Sequence, residues 1–546
     1  MNAAPLVEAA SATMASVTQP AASQLPYPAS LEPLLHWLNT TLTRAEGIYD
    51  SIPGSAIVWR YVKVSHQNDP FRTVLEILLF FFVIRTVLQS RTRGDRSGKH
   101  FIKFSQREID ELVNEWTPEP LMPAPPRAAN GAVQSAEQAY HKPPVIIGPA
   151  ILRPQVAVSS EGGQRQVLNV TTPNFAGLFA DEHVKGKAIE CLRSYGVGSC
   201  GPPGFYGTFD VHMQLERAIA LFLGVQSSII YSQWFSTASS VIPSFSKRGD
   251  IIVADRAVNF AIQKGIQISR STVRYYDHNN LDSLEKVLEG IRKDDKKYNR
   301  DPTKSRRFIV TEGIFENDGA LLDLPRVIEL KLKYKYRLIL DESWSFGVLG
   351  KTGRGLSEYY GLPAGDIDIL LGSMSVGLSA AGGFCAGTID VVNHQRINSA
   401  AFVYSAAMPP LLAVAATATI DILSNASRPH PLTGLSDNVK ALRTALDKLS
   451  DIVDVPSHRE SPTIHIFLRD PPTADIGQQE AILQQIADDC LAQGVLIARN
   501  QRLWLQELPS EIDRPSLRLC LSAAFNKQET QRIASVLSQC IKANLS

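Results

Sequence analysis

The sequence predicts an α/β protein with a large domain built on a mainly parallel sheet and a smaller α+β domain at its carboxyl end. In the large domain, residues 166–425, short apolar runs such as Asp250–Asp255 and Arg337–Ser343 alternate with helical patterns such as Leu281–Lys293. This alternation is typical of strand–helix–strand units with parallel strands. A proline-rich break then opens the final segment, 426–546, which we predict to be the small domain.

The composition indicates an ordinary globular chain of more than one domain. Its 546 residues are 44% hydrophobic and 20% charged. A net charge of +1 lacks the basic excess of nucleic-acid-binding proteins. The six cysteines show neither CxxC nor metal-ligand spacing, so we expect reduced, mostly buried thiols and no metal site.

The N-terminal segment 1–70 begins without a signal-peptide pattern. We predict that it is partly disordered, with a possible amphipathic helix over Leu31–Ile48. Residues 91–165 form a basic flank and then a proline-rich stretch that is unable to hold long helices.

The apolar run 71–90 lies between these two segments and is close to the minimum length of a membrane span. Glu76 and Arg85 interrupt it, which would equally suit a buried core helix. Basic residues follow immediately, as they do on the cytosolic side of a span. We therefore predict a single transmembrane anchor, with the body of the protein in the cytosol.

Four segments have the composition of ligand-binding loops. They are a glycine-rich turn that leads into a helix (Ser194–Glu216), a strand end rich in hydroxyls (Tyr231–Ser240), a strand that ends at Asp341, and the small-residue bend Leu370–Phe384. Helix starts can bind phosphate, and carboxylates at strand ends can face ligands. Each segment taken alone is explained as well by a tight turn or a helix cap.

Taken together and in this order, the four segments resemble the α-oxoamine synthases. These are pyridoxal-phosphate enzymes of the fold-type-I aminotransferase class, which join an amino acid to an acyl-CoA with loss of CO2. The family's lysine motif, G-T-x-T/S-K-x-x-G-x-x-G-G, is matched here by Gly372, Ser373, Ser375, Val376, Ser379, Gly382 and Gly383. Val376 therefore holds the position of the lysine that binds the cofactor and relays protons, and an isopropyl group can do neither.

Three other positions also lack a histidine that the family has. Trp344 replaces the histidine of D-E-A-H, Asn259 stands near the ring-stacking histidine, and Phe525 replaces the histidine of S-A-A-H-T. Asp341, which matches the partner of the pyridinium nitrogen, is retained, and we interpret it as vestigial. The resemblance thus implies a chain with no catalytic residue of its own.

Within that family, the stretches Val113–Pro123, Tyr195–His212, Ile242–Gly265 and Ala380–Gly387 resemble the lysine-lacking long-chain-base subunits of serine palmitoyltransferase. This implies a heterodimer with a catalytic long-chain-base subunit that binds pyridoxal 5'-phosphate covalently. That partner would condense L-serine with palmitoyl-CoA to 3-ketodihydrosphingosine, the first step of sphingolipid synthesis, at the endoplasmic reticulum membrane. The resemblance also implies a small activating subunit and Orm-type regulators.

The resemblance also places residues at the interface between the subunits. The stretch Tyr404–Pro410 matches the family's F-S-T-x-x-P-P, so Ser405 and Ala406 are expected to contact the partner's cofactor in trans. The interface loop is expected to include Tyr195, Gly196, Cys200, Gly201 and Gly204. For Cys200, an inert buried thiol is an equal alternative.

Arg514 and Arg518 lie where the family has a carboxylate-binding arginine, and a structural ion pair explains either one equally well. A different class of function also stays open, that of a membrane-anchored pseudoenzyme with a purely regulatory or scaffolding role. An active homodimer that uses another base is disfavoured, because no lysine occurs between Leu356 and Ala400.

Overall fold

The computed structural model describes residues 55–98, 105–116, 143–157, 163–427, 429–500 and 506–545. The amphipathic helix predicted at Leu31–Ile48 lies outside these ranges. The chain divides into two compact units, Met1–Ala124 and Pro125–Ser546.

The described part of the first unit is helical, with α1 over Ser55–Asn68, α2 over Pro70–Gly98 and α3 over Gln106–Glu115. Helix α2 contains the run for which we predicted a transmembrane anchor. Within the described ranges, no helix is long and apolar enough to cross a membrane, so the structure does not confirm that prediction.

The second unit holds the sheets. Its strands are β1 Val145–Ile147, β2 Gln155–Ala157, β3 Gln164–Gln166, β4 Leu168–Asn169, β5 Ser227–Tyr231, β6 Ile251–Asp255, β7 Thr272–Tyr276, β8 Arg307–Glu312, β9 Arg337–Asp341, β10 Ile369–Ser373, β11 Gly383–Gly387, β12 Val453–Asp454, β13 Thr463–Leu468, β14 Val495–Leu496, β15 Ala498–Asn500 and β16 Ser516–Cys520.

Its α-helices are α4 Glu182–Tyr195, α5 Asp210–Leu223, α6 Trp234–Phe245, α7 Phe260–Ser269, α8 Leu281–Lys297, α9 Leu324–Tyr334, α10 Leu356–Tyr360, α11 Met374–Gly377, α12 Ile389–Asn398, α13 Ala400–Val403, α14 Pro410–Ser424, α15 Leu435–Asp447, α16 Ile476–Ala492 and α17 Lys527–Leu545. An irregular turn, Pro203–Gly207, precedes α5.

The main sheet has seven strands in the order β5-β11-β10-β9-β8-β6-β7. Strand β11 runs antiparallel to both of its neighbours, and the pairs β10–β9, β9–β8, β8–β6 and β6–β7 are parallel. The predicted mainly parallel sheet is therefore confirmed. Parallel strands end on the same side of the sheet. At that side, Asp341 of β9 pairs in register with Glu312 of β8 and Leu371 of β10.

Apolar side chains cover both faces of this sheet. Alternate residues of β8 show the arrangement, because Ile309 packs into one hydrophobic cluster while Phe308 and Val310 pack into the other. Such two-sided burial is typical of parallel sheets covered by helices on both faces.

A second, antiparallel sheet of order β12-β13-β16-β15 accounts for the α+β character of the C-terminal segment. Its Ile464 and Leu519 belong to the same hydrophobic cluster as Ile309 and Leu340 of the main sheet. The two sheets therefore share one core, and the boundary at 425/426 stays a prediction.

Candidate active site

Asp341 lies at the carboxyl end of the central strand β9 and is 2% exposed. Its Oδ2 accepts a hydrogen bond from Asn259 Nδ2 at 3.0 Å, and its Oδ1 accepts one from the backbone N–H of Ser343 at 2.8 Å. Burial raises the pKa of Asp341, and the hydrogen bonds from Ser343 and Asn259 oppose that rise. Both carboxylate oxygens thus already have donors from the chain itself.

Asn259 is held in this position by three interactions. It is the N-cap of α7, where its Oδ1 accepts a hydrogen bond from the backbone N–H of Ile262 at 3.0 Å. Its own backbone N–H donates to Glu312 Oε1 at 2.6 Å, and its Nδ2 donates to Asp341. At the position near the family's ring-stacking histidine, this chain therefore has a fully buried amide that caps a helix and binds Asp341.

Three further carboxyl groups surround Asp341. Burial, Asp341 and Glu316 together raise the pKa of Glu312 well above its usual range. Burial raises the pKa of Glu316 and that of Glu342 to about 7 in each case. Several acids so close together cannot all be ionised, so part of this cluster carries protons at neutral pH.

Val376 lies in the short helix α11 that follows β10, and it is 8% exposed. It belongs to the same hydrophobic cluster as Met374, Leu378 and Phe346. The side chain at the lysine position is thus part of the apolar core and offers no group for acid–base or covalent chemistry.

The glycines of the bend around Val376 are required by contacts within the chain. A Cβ on Gly377 would collide with the carbonyl oxygen of Phe346, and one on Gly382 would collide with the carbonyl oxygen of Tyr231. Gly382 also has a φ of +99°. The small residues that resemble a cofactor loop are therefore needed for the bend to pass its own neighbouring strands and loops.

The other two positions at which the family has histidine hold packed aromatic rings. Trp344 is 5% exposed and packs edge-on against Phe175, with 6.4 Å between the two ring centroids. The Arg518 guanidinium lies 5.6 Å from the centroid of the Trp344 ring. Phe525 is buried in the main hydrophobic cluster. Phe525 has no polar side-chain atom, and the indole N–H of Trp344 does not give up its proton at neutral pH, so neither ring can do the acid–base work of a histidine.

These residues do not fit a covalently bound pyridoxal phosphate. The chain has no amine at position 376 to form a Schiff base, and the family's histidine positions hold Asn259, Trp344 and Phe525. We therefore assign no reaction step to this pocket.

The structure brings the two predicted interface segments together. The backbone N–H of Ala407 donates to the Gly201 oxygen at 2.9 Å, and His212 Nε2 lies 2.7 Å from the Met408 oxygen. We call residues 195–209 the glycine loop and residues 404–410 the 405 segment. The hydrogen bond between Ala407 and Gly201 joins them into one surface unit, on which Ser405 is half-buried and Ala406 is exposed.

Most of the predicted interface residues are accessible on this unit. Tyr195, Gly196, Cys200 and Gly204 are exposed, and Gly201 is half-buried. Tyr195 donates a hydrogen bond to Asp210 at 2.9 Å. Cys200 is exposed in this chain and has a φ of +54°, so its thiol is not buried within the fold, and whether it has a direct role stays open.

Comparisons with known proteins agree with this architecture. The model of the aminotransferase class I and II family matches residues 167–537. Long chain base biosynthesis protein 1b of Oryza sativa subsp. japonica is 39% identical over 80% of this chain and 85% of its own length. Serine palmitoyltransferase 1 of Saccharomyces cerevisiae is 35% identical over 97% of this chain and 99% of its own length.

The chain belongs to the serine palmitoyltransferase 1 family, whose members are also named long chain base biosynthesis protein 1. Among solved structures, the serine palmitoyltransferase of Sphingomonas wittichii matches with a TM-score of 0.63 and 21% identity, over 73% of this chain and 92% of that one. That likeness confirms the predicted fold-type-I architecture.

The sequence did not indicate one buried ionic group of this family member. His278 Nδ1 lies 2.9 Å from Asp255 Oδ1, and its Nε2 lies 3.0 Å from Asp318 Oδ2. Burial lowers the pKa of His278, but the hydrogen bonds to the two carboxylates outweigh burial and raise it to about 10. Asp255 ends an apolar run in the sequence, but nothing there indicates the histidine 23 residues later.

We expect His278→Gln to lower the free energy of unfolding by about 3–5 kcal/mol, because it leaves two buried carboxylates without a cation. The pKa of His278 is higher in the folded state, about 10, than its ordinary 6.5. Its contribution is therefore complete below about pH 6.5 and declines as the pH rises towards 10. Urea denaturation of both proteins from pH 6 to 10 measures this, and a stability difference that is constant across the range would contradict it.

Proposed function

We propose that this chain is the non-catalytic subunit of a heterodimeric serine palmitoyltransferase. Its partner would be a related chain that carries the missing lysine, binds pyridoxal 5'-phosphate and condenses L-serine with palmitoyl-CoA to 3-ketodihydrosphingosine. The observation that carries the proposal is the buried Val376 at the lysine position. The Asp341 carboxylate that the chain itself satisfies supports the same conclusion.

The unit formed by the glycine loop and the 405 segment supports a contribution to the partner's site. Ser405 can offer a hydroxyl to the phosphate of the partner's cofactor, while Ala406 can offer only its backbone N–H. Such contacts in trans would explain why a chain without catalytic residues is needed for the activity. This also distinguishes the proposal from a purely regulatory role, in which the unit would touch no cofactor.

The exposed apolar residues on this surface also favour a partner. Phe205 is 67% exposed, Tyr404 is 81% exposed, and Tyr206 is 100% exposed with a φ of +63°. Large apolar side chains grouped at one place on a surface mark interaction sites. A non-glycine residue at positive φ is uncommon, and here that conformation displays an aromatic ring to the outside.

We further propose that the complex acts at the endoplasmic reticulum membrane, together with a small activating subunit and Orm-type regulators. The family's role in long-chain-base synthesis supports this, as does the surface of helix α2. Phe80, Phe81 and Phe82 of that helix are each 63–65% exposed.

The first experiment tests catalysis. Purified alone, the chain should show no absorbance band of a lysine-bound cofactor with pyridoxal phosphate, and co-purification with the lysine-bearing chain should supply one. Val376→Lys alone should form no 3-ketodihydrosphingosine above background, because Trp344 and Asn259 would still stand where the family has histidines. Condensation by that variant alone, or a borohydride-reducible adduct on the unmodified chain, would contradict the proposal.

The second experiment tests the interface. Tyr206→Asp should weaken association with the catalytic chain about tenfold or more, because an aromatic residue buried at an interface contributes about 2 kcal/mol. Aspartate tolerates the positive φ at this position, so the loop should keep its fold. Leu332→Asp is the matched control, since Leu332 is 67% exposed on helix α9. Equal affinities of the two variants in a co-purification titration would argue against this interface.

The third experiment tests localisation. Deletion of residues 71–90 should move the chain from the membrane fraction to the soluble fraction when it is expressed without its partners. Co-expression with the catalytic chain should return part of it to the membrane. A deletion variant that stays with the membrane in the absence of any partner would rule out a role of this segment.

A further inference from the structure

A group of exposed cations lies at the amino edge of the main sheet, and none of the proposals above uses it. The parallel strands β6, β7 and β8 begin side by side there, because Ile251 pairs in register with the first residue of each of the other two strands. The loops that lead into them, residues 246–250, 269–271 and 301–306, therefore meet at one place. We call their exposed basic residues the basic corner: Lys247, Arg248, Arg270, Lys304 and Arg306.

Hydrogen bonds tie the three loops together around Asp250. Its Oδ2 accepts the backbone N–H of Lys247 at 2.9 Å, and its Oδ1 accepts that of Arg306 at 2.8 Å. Its backbone oxygen accepts the N–H of Thr272 at 2.9 Å, and Ser271 Oγ donates to the Lys247 oxygen at 3.1 Å. The fold therefore holds cations from separate loops next to one another.

The charges of the basic corner are not balanced within the fold. Asp250 is 5% exposed and binds backbone N–H groups, while Asp301, the other acid of these loops, binds the N–H and the hydroxyl of Thr303. Arg306 Nη1 donates to the carbonyl oxygen of Phe245 at 2.7 Å. Among the residues that the structure describes, no carboxylate lies within 4.0 Å of any cationic group of the corner. The net charge of +1 for the whole chain therefore does not show this local excess.

We propose that the basic corner docks the second unit on an anionic lipid surface. Lysine and arginine side chains on three loops can each reach a lipid phosphate and need no fixed arrangement of phosphates, which suits a fluid layer of headgroups. Ile268 is 59% exposed in the last turn of α7, two residues before Arg270, and adds an apolar side chain that can enter the interface. The contact needs neither the partner chain nor a cofactor, and it goes beyond the proposed function.

Docking at the amino edge is compatible with a site at the opposite edge of the sheet. Glu312 and Asp341 lie at the carboxyl ends of β8 and β9, whereas the basic corner precedes the first residues of β6, β7 and β8. A lipid surface that covers the amino edge therefore leaves the carboxyl edge uncovered. The contact would hold the main sheet with its parallel strands pointing away from the membrane.

The experiment measures flotation of the complete chain with lipid vesicles. Vesicles of phosphatidylcholine alone are compared with vesicles in which about a fifth of the lipid is phosphatidylserine. At low salt, the half-saturating lipid concentration should be about a hundredfold lower on the anionic vesicles, because each exposed cation adds attraction to the surface. This preference should shrink at about 0.5 M salt, because salt screens exposed charges.

Two triple variants locate the preference, since the basic flank after the apolar run 71–90 can also respond to anionic lipid. Lys247→Gln, Arg248→Gln and Arg270→Gln together should lower the preference for anionic vesicles about tenfold or more. The matched control, which should keep the preference, removes the same charge from three exposed lysines of the C-terminal segment, Lys440→Gln, Lys448→Gln and Lys527→Gln.

Thermal melting shows whether each variant is folded. If the first triple variant is destabilised, the single change Arg248→Glu at an exposed loop position can be measured instead, and it should lower the preference about threefold or more. An unchanged preference in the folded variants of the basic corner would overturn the proposal. An equal loss in the lysine control would reduce the effect to net charge and would also overturn it.

A soluble acidic polypeptide tests the alternative occupant. If the unmodified chain bound poly-L-glutamate through the basic corner and bound both kinds of vesicle equally, the corner would be a protein-docking site and the lipid proposal would be wrong. All of these measurements use this chain without its partner, so their outcome is independent of the proposed heterodimer.

Discussion

The hydrogen bond from Asn259 to Asp341 determines what this pocket can be. A carboxylate buried at the end of a central strand must have donors, because its desolvation is otherwise costly. In this chain, Asn259 and Ser343 supply them from within the fold. Asn259 also caps α7 with its side-chain oxygen and donates its backbone N–H to Glu312, so one residue links that helix to strands β8 and β9. The buried carboxylate therefore has a donor on each oxygen from the chain itself, beside a position 376 whose side chain is apolar.

Close packing within the chain explains why the loop around Val376 keeps its glycines although it lacks a lysine. Gly377 passes the backbone at Phe346, and Gly382 passes that at Tyr231, so a side chain at either position would displace the main sheet's own connections. The lysine, by contrast, can be replaced by any side chain that fits the core. A loop that looks like a cofactor loop can thus lose its chemistry while its shape is maintained by packing alone.

Much of the architecture could be predicted from the sequence, because strand–helix alternation and a carboxylate at a strand end are local patterns. Asp341 lies at the end of β9, where this pattern places it, whereas the role of position 376 is implied only by the family resemblance. Contacts between segments that are distant in the sequence leave no local pattern in it. His278 with Asp318, and Arg514 with Asp454, meet only because the fold brings separate strands and loops together. The exposure of Cys200 likewise depends on a backbone turn with positive φ, which composition does not reveal.

The electrostatics of the second unit show two different solutions to buried charge. At the carboxyl ends of β6 and β7, His278 neutralises two aspartates, and the group is closed. Arg518 shows the other solution, because its guanidinium lies 5.6 Å from the centroid of the Trp344 ring and, among the residues that the structure describes, it has no carboxylate partner within 4.0 Å. Trp344 stands at a position where the family has a histidine, so an aromatic face that can hold a cation replaces an acid–base group there. One residue thus explains both why this position offers no proton transfer and how a half-buried arginine is accommodated without an ion pair.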